Sequence, residues 1–539
     1  MNLLSKNRGK PVQGGVKEMT NRESNPDKLI KRSKEELHTL ILSQAADIEN
    51  VQRNTLFDIL KQSEDSEYGK MYDFSDTQSV SDYQKKVPIR DYRDMKPWID
   101  RIYEGEDNVL YSDETVYFLF SSGTTGDAKT FPESRSGDHV KSIINTIRSM
   151  EIARMVNEVH PGKRKYFAIT NTSYYGESKS GVPIGTASGV ALKQAKSSGF
   201  AAVPAKFMRM GQLDADTQNE IFAFYALSNE DVVELICNNP AHFIRVLDVI
   251  NGKTERILSD IEKGTLSVDL PEDKKAILLE DITPNPERAA TLRSIYEKKG
   301  ILDITDFWPE FSVVDSWLSG SVGRIVKEYR YIFPEHTLFI HWGYGASESK
   351  VDVVTEPEVP YGIPMLFGTF YECRDVRTGE ISLLHEVKEG RLYEMILTTY
   401  SGLYRYNLKD IVRFRKGEDG LLRIEFVCKS GDSGRPNGQV IYSAEISEMI
   451  EEYEKNSGMA IRFFQAKSYE DGMKLYAEGV DEFDKDGFEA FMKKKLSERG
   501  ITLLSVTEYE QGYRNSLYGK VLQGKSISST KLPVFIPTE

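Results

Sequence analysis

Thr115-Val116-Tyr117-Phe118-Leu119-Phe120 runs directly into Ser121-Ser122-Gly123-Thr124-Thr125-Gly126-Asp127-Ala128-Lys129. The first six residues are mostly aromatic, β-branched or aliphatic, which is the composition of a buried strand. The next nine hold two glycines, four hydroxyls and a lysine. Backbone N–H groups and hydroxyls in such a loop can cradle a polyphosphate, and Lys129 adds a point charge. The G-x-x-x-x-G-K-[ST] spacing of the common nucleotide-triphosphatase loop is absent. Pro132 discourages a helix from starting at the loop, so the phosphate is not expected on a helix N-terminus. Taken alone, the stretch also reads as an ordinary Gly/Ser/Thr turn.

The chain has 539 residues, more than one hydrophobic core supports, which predicts at least two domains. The net charge of −13 speaks against general nucleic-acid binding, where a basic face supplies the affinity. An anionic nucleotide must then be met by a local group of cations and dipoles. Cys237, Cys373 and Cys428 lie far apart with no C-x-x-C pair, which argues against a structural zinc site or a disulfide framework. Met1 to Arg8 carries basic residues but no apolar stretch of a secretory signal. No apolar run has the length that spanning a bilayer requires. The expectation is a cytoplasmic protein without a membrane partner. Residues 1–27 are polar and read as a disordered extension.

The pattern from Leu29 to Gln62 is helical, with Leu37, Leu40, Ile41, Ala45 and Ile48 on one face. A second helix follows the Gly-rich loop, with Val140, Ile143, Ile144 and Ile147 at helical spacing. Glu287 to Lys299 reads as a helix stopped by Gly300. Thr337 to His341 and Leu392 to Thr398 read as strands. Strands alternating with helices over the first 340 or so residues predict a wound α/β core with added β structure after it. Lys429-Ser430-Gly431-Asp432-Ser433-Gly434-Arg435-Pro436-Asn437-Gly438 is the clearest linker. Beyond it the order is helix, strand, strand, helix, strand. The fold class is therefore α/β: a large N-terminal domain, residues 28–428, a hinge at 429–438, and a small mobile αββαβ domain over 439–539.

Three further motifs accompany the loop. Tyr344-Gly345-Ala346-Ser347-Glu348 offers an aromatic ring for a base and a carboxylate for magnesium. In Thr398-Thr399-Tyr400-Ser401-Gly402-Leu403-Tyr404-Arg405-Tyr406-Asn407-Leu408-Lys409-Asp410, Asp410 suits ribose hydroxyls and Arg405 suits a phosphate. Ser529-Thr530-Lys531-Leu532-Pro533 places a lysine near the end of the chain. Each also has an ordinary reading: a core aromatic for Tyr344, a surface carboxylate for Glu348, half of an ion pair for Arg405, a turn residue for Asp410, a solvated lysine for Lys531.

Together, in this order, the motifs resemble the adenylate-forming superfamily of acyl-CoA synthetases, peptide-synthetase adenylation domains and luciferases. Within it the chain is most similar to the auxin-responsive acyl-acid amido synthetases, which join indole-acetate or jasmonate to amino acids. Tyr344-x-x-Ser347-Glu348, the 398–406 run and Phe370-Tyr371-Glu372 carry that resemblance, as do Asn50-Val51-Gln52 and Ser66-Glu67-Tyr68-Gly69. Two departures point to the wider superfamily: the loop is one residue shorter than in the plant enzymes, and Gly345 follows Tyr344.

The resemblance implies ATP and Mg2+, with a small carboxylic acid and an amino acid as substrates. The acid attacks the α-phosphorus to give an acyl-adenylate, and the amine then displaces AMP. It assigns the phosphates to Ser121, Ser122, Gly123, Thr124, Thr125, Gly126 and Lys129. It places Tyr344 at the adenine, Glu348 on the metal and Asp410 on the ribose, counts Ser347 among the nucleotide-binding residues, and makes Arg405 and Lys531 catalytic. Lys520, in Gly519-Lys520-Val521, competes with Lys531 for the catalytic role. An acyl-CoA ligase and an inactive acid-binding relative are the other readings. Oligomeric state is not legible.

Overall fold

The computed structural model describes residues 34–121, 129–162, 164–169, 174–186, 200–208, 210, 213–480, 483–514, 516–517, 532 and 534–537. The expected N-terminal extension lies outside them. The helical pattern beginning at Leu29 is described as two helices, Lys34–Ala45 and Ile48–Ser63. Buried Val51, Leu56, Ile59 and Leu60 seat the second of these in the largest core.

The strand before the Gly-rich loop, Thr115–Ser121, pairs antiparallel with Lys129–Ser134, with Ser121 opposite Lys129. The loop therefore joins two strands, in keeping with Pro132 barring a helix there. The long helix Arg135–Val159 begins only after this second strand, capped by Ser134, whose hydroxyl accepts from the Gly137 N–H.

The wound core is a parallel four-stranded sheet in the order Lys165–Ile169, Val232–Cys237, Val313–Ser316, Leu338–His341. Its runs of Val, Ile, Leu and Phe are buried, as strands covered on both faces require. The helix expected to stop at Gly300 spans Pro286–Lys299, and Gly300 takes a left-handed conformation at φ 76°. The hairpin that carries the loop belongs to a separate four-stranded sheet. A seven-stranded sheet supplies the added β structure and includes Thr369–Asp375, Leu392–Thr399, Tyr406–Lys416 and Leu422–Lys429 as antiparallel neighbours.

The C-terminal elements are Ser443–Ser457, Ile461–Tyr469, Gly472–Gly479, Lys485–Ser497 and Leu503–Glu508, in the helix-strand-strand-helix-strand order read from sequence. They share their own core around Ile446, Phe464, Phe488 and Leu496. Arg324 and Lys327 of helix Gly320–Tyr329 bond Glu454 at 2.9 Å and Glu451 at 2.8 Å across to this unit.

One buried group in the parallel sheet opposes stability. Asp315 is 1% exposed, and neither carboxyl oxygen has a hydrogen-bond partner. Burial, and then the Glu234 charge, pushes its carboxyl well above the usual 3.8. A carboxyl raised in the folded state binds its proton more tightly there than in the unfolded chain. The stability it leaves is therefore lost as pH rises above the unfolded value. Asp315→Asn is expected to raise the unfolding temperature at neutral pH, by a margin that grows between pH 5 and 8. Thermal scans across that range check it, and a margin that shrinks with pH contradicts it.

Candidate functional site

Two features hold the 341–352 segment in place. Gly343 lies at φ 99°, and a Cβ there would come within 2.9 Å of Asp352 Oδ1 and 3.0 Å of Arg148 Cζ, so only glycine fits. Arg148, buried on the long helix, donates to the Tyr344 carbonyl at 2.6 Å and to the Asp352 carbonyl at 2.7 Å. The Tyr344 N–H in turn donates to Asp352 Oδ1 at 2.7 Å. The motif is thus strapped to the helix that follows the Gly-rich hairpin.

This brings Lys129, Tyr344, Glu348 and Asp410 together. The Tyr344 hydroxyl donates to Asp410 Oδ2 at 2.7 Å, and its ring tilts against Phe426 at 5.3 Å. Both residues are buried. The Glu348 carboxyl is pushed up by burial and drawn back by Lys429, while Asp410 pushes it further and Lys129 draws it down. Lys129 is pushed down by burial and supported by Glu348, with Lys429 and Lys409 opposing it. Its ammonium stands 5.4 Å from the centre of the Tyr92 ring. Two cations, Lys129 and Lys429, therefore share one region with two carboxylates, Glu348 and Asp410. Such a group can bind a triphosphate and a divalent cation while staying near neutrality when unliganded.

Lys429 opens the Gly-rich stretch that reads as a linker in the sequence. It ends strand Leu422–Lys429 directly opposite Asp410 and is in ion-pair contact with Asp410 Oδ1. Burial lowers its affinity for a proton, but the Asp410 and Glu348 charges prevail and hold its ammonium above the usual range. The Asp410 carboxylate thus already has two protein partners before any ribose arrives. Asp410→Ala removes a hydrogen bond to a charged group and leaves the Tyr344 hydroxyl buried and unpaired, a loss of about 1–3 kcal/mol. Lys429 keeps 38% of its side chain exposed, so water shields the cation left behind and adds little to that cost. Denaturant unfolding without nucleotide checks this. An unchanged midpoint would mean that Asp410 serves only the ligand.

Arg405 requires a correction. Its Nε and Nη2 donate to the two Glu372 oxygens at 2.9 and 2.8 Å. Its Nη1 donates to the Gln84 and Val87 carbonyls at 2.7 and 2.9 Å. The guanidinium is a buried strut, with four of its N–H groups engaged and little left for a phosphate. Ser347 does not present its hydroxyl through any described contact, but its carbonyl accepts from Lys141 Nζ at 2.8 Å. Ser121 is described through its backbone pairing with Lys129. Ser122, Gly123, Thr124, Thr125, Gly126, Lys520 and Lys531 lie outside the described residues.

Lys141, Lys350, Glu133 and Ser401 went unread in the sequence. Lys141 pairs with buried Glu133, which accepts from the Ser401 hydroxyl at 2.9 Å. Ser134 Oγ donates to the Tyr400 carbonyl at 2.9 Å. These bonds close the Gly-rich hairpin against the turn that follows Leu392–Thr399. A Cβ on Gly137 would lie 1.9 Å from Ser401 Oγ, so the helix can approach this turn only through glycine. The signal in sequence was Ser134-x-x-Gly137 at the helix start. Among the described residues no cluster of three or more His, Cys, Asp or Glu side chains could hold a metal. No described helix is long and apolar enough to cross a membrane. The three cysteines are buried free thiols.

Comparison with known proteins places this geometry. Residues 38–338, more than half of the chain, match the GH3 family N-terminal domain, and residues 363–429 match the GH3 family central domain. The 4-substituted benzoates-glutamate ligase GH3.12 of Arabidopsis thaliana is 26% identical over 74% of this chain and 73% of its own length. The jasmonoyl–L-amino acid synthetase JAR6 of Nicotiana attenuata is 26% identical over 71% of this chain and 70% of its own length. The solved structure of the GH3.15 acyl acid amido synthetase in complex with 2,4-DB shares the fold, with a TM-score of 0.78 at 18% identity. That match covers 94% of this chain and 95% of the solved one. The chain belongs to the GH3 family.

Proposed function

We propose that this chain is an ATP-dependent acyl-acid amido synthetase. It activates a small carboxylic acid as an acyl-adenylate, with release of pyrophosphate, and transfers the acyl group to an amino acid, with release of AMP. The observation that carries the reading is the meeting of Lys129, Glu348, Asp410 and Lys429 beside the end of the Gly-rich hairpin. Negative charge gathers around the α-phosphate during adenylation, and fixed cations at that point stabilise it. Lys129 and the Ser121–Gly126 loop take the phosphates. Asp410 holds the ribose, with the Tyr344 hydroxyl orienting its carboxylate, and the adenine lies along this wall.

Magnesium is commonly held by one or two carboxylates together with substrate phosphates, and the buried Glu348 carboxyl beside Asp410 fits that donor set. When bound, the ion neutralises phosphate charge. Lys531 supplies the catalytic ammonium from the small domain, and the part of the 429–438 segment that follows Lys429 is the hinge about which that domain turns between the two half-reactions. We assign the reaction to the cytoplasm, a reading supported by the buried free thiols. The substrates it meets in this reading are a small carboxylic acid and an amino acid.

The test is product analysis by mass spectrometry after incubation with ATP, a panel of acids and either amino acids or coenzyme A. Amide products with AMP support the reading, and thioesters with no amide defeat it. Pyrophosphate exchange in Lys531→Ala and Lys520→Ala decides between the two lysines, because only the catalytic one abolishes exchange.

A further inference from the structure

A narrow crevice of about 10 Å³, room for one water-sized polar group, opens between the start of the long helix Arg135–Val159, the 348–350 segment and the turn at 399–401. Glu348 lines it, so the crevice shares a wall with the charged group described above. Lys141, Lys350, Thr399 and Ser401 also line it. Thr399 is 4% exposed, and its Oγ1 is buried without a hydrogen-bond partner. Buried hydroxyls are nearly always bonded, so an orphan on a crevice wall marks a place for a ligand acceptor or donor.

The charges around the crevice do not balance. Lys141 is neutralised by Glu133, and Arg148 by Asp352 at 3.5 Å. Lys350 completes a trio of cations there. A Cβ on Gly345 would lie 3.6 Å from Lys350 Nζ and 3.4 Å from Arg148 Nη1, so the two cations flank one glycine. Among the described residues Lys350 makes no hydrogen bond and no ion pair, and its side chain is largely withdrawn from water. The neighbouring group is balanced, with Lys129 and Lys429 facing Glu348 and Asp410. Of the trio, Lys350 alone has no carboxylate in contact: burial, with Arg148 and Lys141, lowers the pKa of its ammonium to about 7, and only the Glu133 charge draws it back. A partly buried charge without a counter-charge is unfavourable, and a bound anion relieves it.

We infer that the crevice binds a carboxylate other than the one being activated, and that Lys350 is its specificity-determining partner. This rests on the amido synthetase reading. That carboxylate has two possible sources: a second acid group on the acyl substrate, or the carboxylate of the acceptor amino acid. In either case Lys350 holds the group as a cation, Thr399 Oγ1 donates to it, and Glu348 marks the end facing the phosphates.

The experiment has two arms, each run on wild type, Lys350→Met and Lys350→Arg. Pyrophosphate exchange without amino acid reports the acyl substrate, with diacids compared against their monomethyl esters. Amide formation at saturating acid reports the acceptor, with amino acids compared against their methyl esters. In one arm, Lys350→Met is expected to raise the KM of the carboxylate-bearing partner by about 10- to 100-fold, with a smaller change in kcat. Lys350→Arg should recover most of it, and the ester should bind both forms equally. A loss confined to exchange assigns the crevice to the acyl substrate, and a loss confined to the acceptor KM assigns it to the amino acid.

Unchanged KM values in both arms overturn the inference. If Lys350→Met does not fold, wild type alone decides, because equal KM values for acid and ester in both arms overturn it equally. Wild type that shows no exchange with any acid defeats the amido synthetase reading instead.

Discussion

Arg405→Ala is expected to lower the stability of the chain by about 3–5 kcal/mol, whether or not nucleotide is present. The Arg405 and Glu372 side chains are 7% and 1% exposed and meet through two parallel hydrogen bonds. Removing the guanidinium leaves the Glu372 carboxylate buried with only Gln84, whose amide donates to it at 2.8 Å. It also strands the Gln84 and Val87 carbonyls that the guanidinium joined to the sheet. Arg405 sits at φ 47°, a conformation that side chains other than glycine rarely adopt. Its N–H is held there by Thr398 Oγ1 at 3.1 Å, and its carbonyl accepts from the Arg90 N–H at 3.2 Å. Glu372→Ala should destabilise comparably. The double variant Arg405→Met/Glu372→Leu should recover much of the loss, because a buried ion pair is often replaceable by apolar groups of similar volume. Denaturant unfolding measures all three. An Arg405→Ala protein of normal stability that no longer exchanges pyrophosphate would return Arg405 to the reaction.

The contrast between Arg405 and Asp410 shows what the sequence makes legible. Local periodicity and stop signals were enough for the C-terminal helix and strand order and for the stop at Gly300. Pro132 was enough to exclude a helix directly after the Gly-rich loop. Residue type marked Asp410, Glu348 and Lys129 only one by one, and the family resemblance joined them; the fold is what brings their charges into one region. Facing was not legible. Whether Arg405 points at Glu372 or at a phosphate depends on the register of strands far apart in sequence. Glu372 stands opposite Ile396, Ile396 opposite Asn407, and the turn before Asn407 holds Arg405 at φ 47°, while an irregularity between Ile411 and Val412 sets the pairing beyond Asp410. A one-residue slip moves every following side chain to the other face, and single-residue bulges cannot be read from a composition pattern. The same pairing explains Lys429. Its neighbours Ser430 and Gly431 look like linker, yet the register sets it opposite Asp410. Lys350 was hidden for a different reason. Its significance lies in the counter-charges taken by Lys141 and Arg148, and those come from the fold.

Glu348→Gln is expected to slow adenylate formation by about a hundredfold or more, while leaving the unliganded protein at least as stable as wild type. The two effects share one cause. Glu348 is 8% exposed, and burial is the first influence on its carboxyl, pushing it up against the pull of Lys429 and Lys129. Holding that charge away from water costs stability when nothing is bound, and the amide removes the cost at nearly the same volume. The charge is useful only when phosphate and a divalent cation arrive, since a carboxylate is the hard oxygen ligand that magnesium takes and an amide is a weaker one. Wild type should therefore gain thermal stability on adding ATP with magnesium, by mass action on the folded state, and the variant should gain much less. Raising magnesium should recover part of the exchange rate in Glu348→Gln but not in a variant damaged elsewhere. Pyrophosphate exchange over a magnesium titration, with thermal unfolding in the same buffers, tests both. If the variant loses stability without ligand and keeps its magnesium dependence unchanged, Glu348 is a structural carboxylate and the metal lies elsewhere.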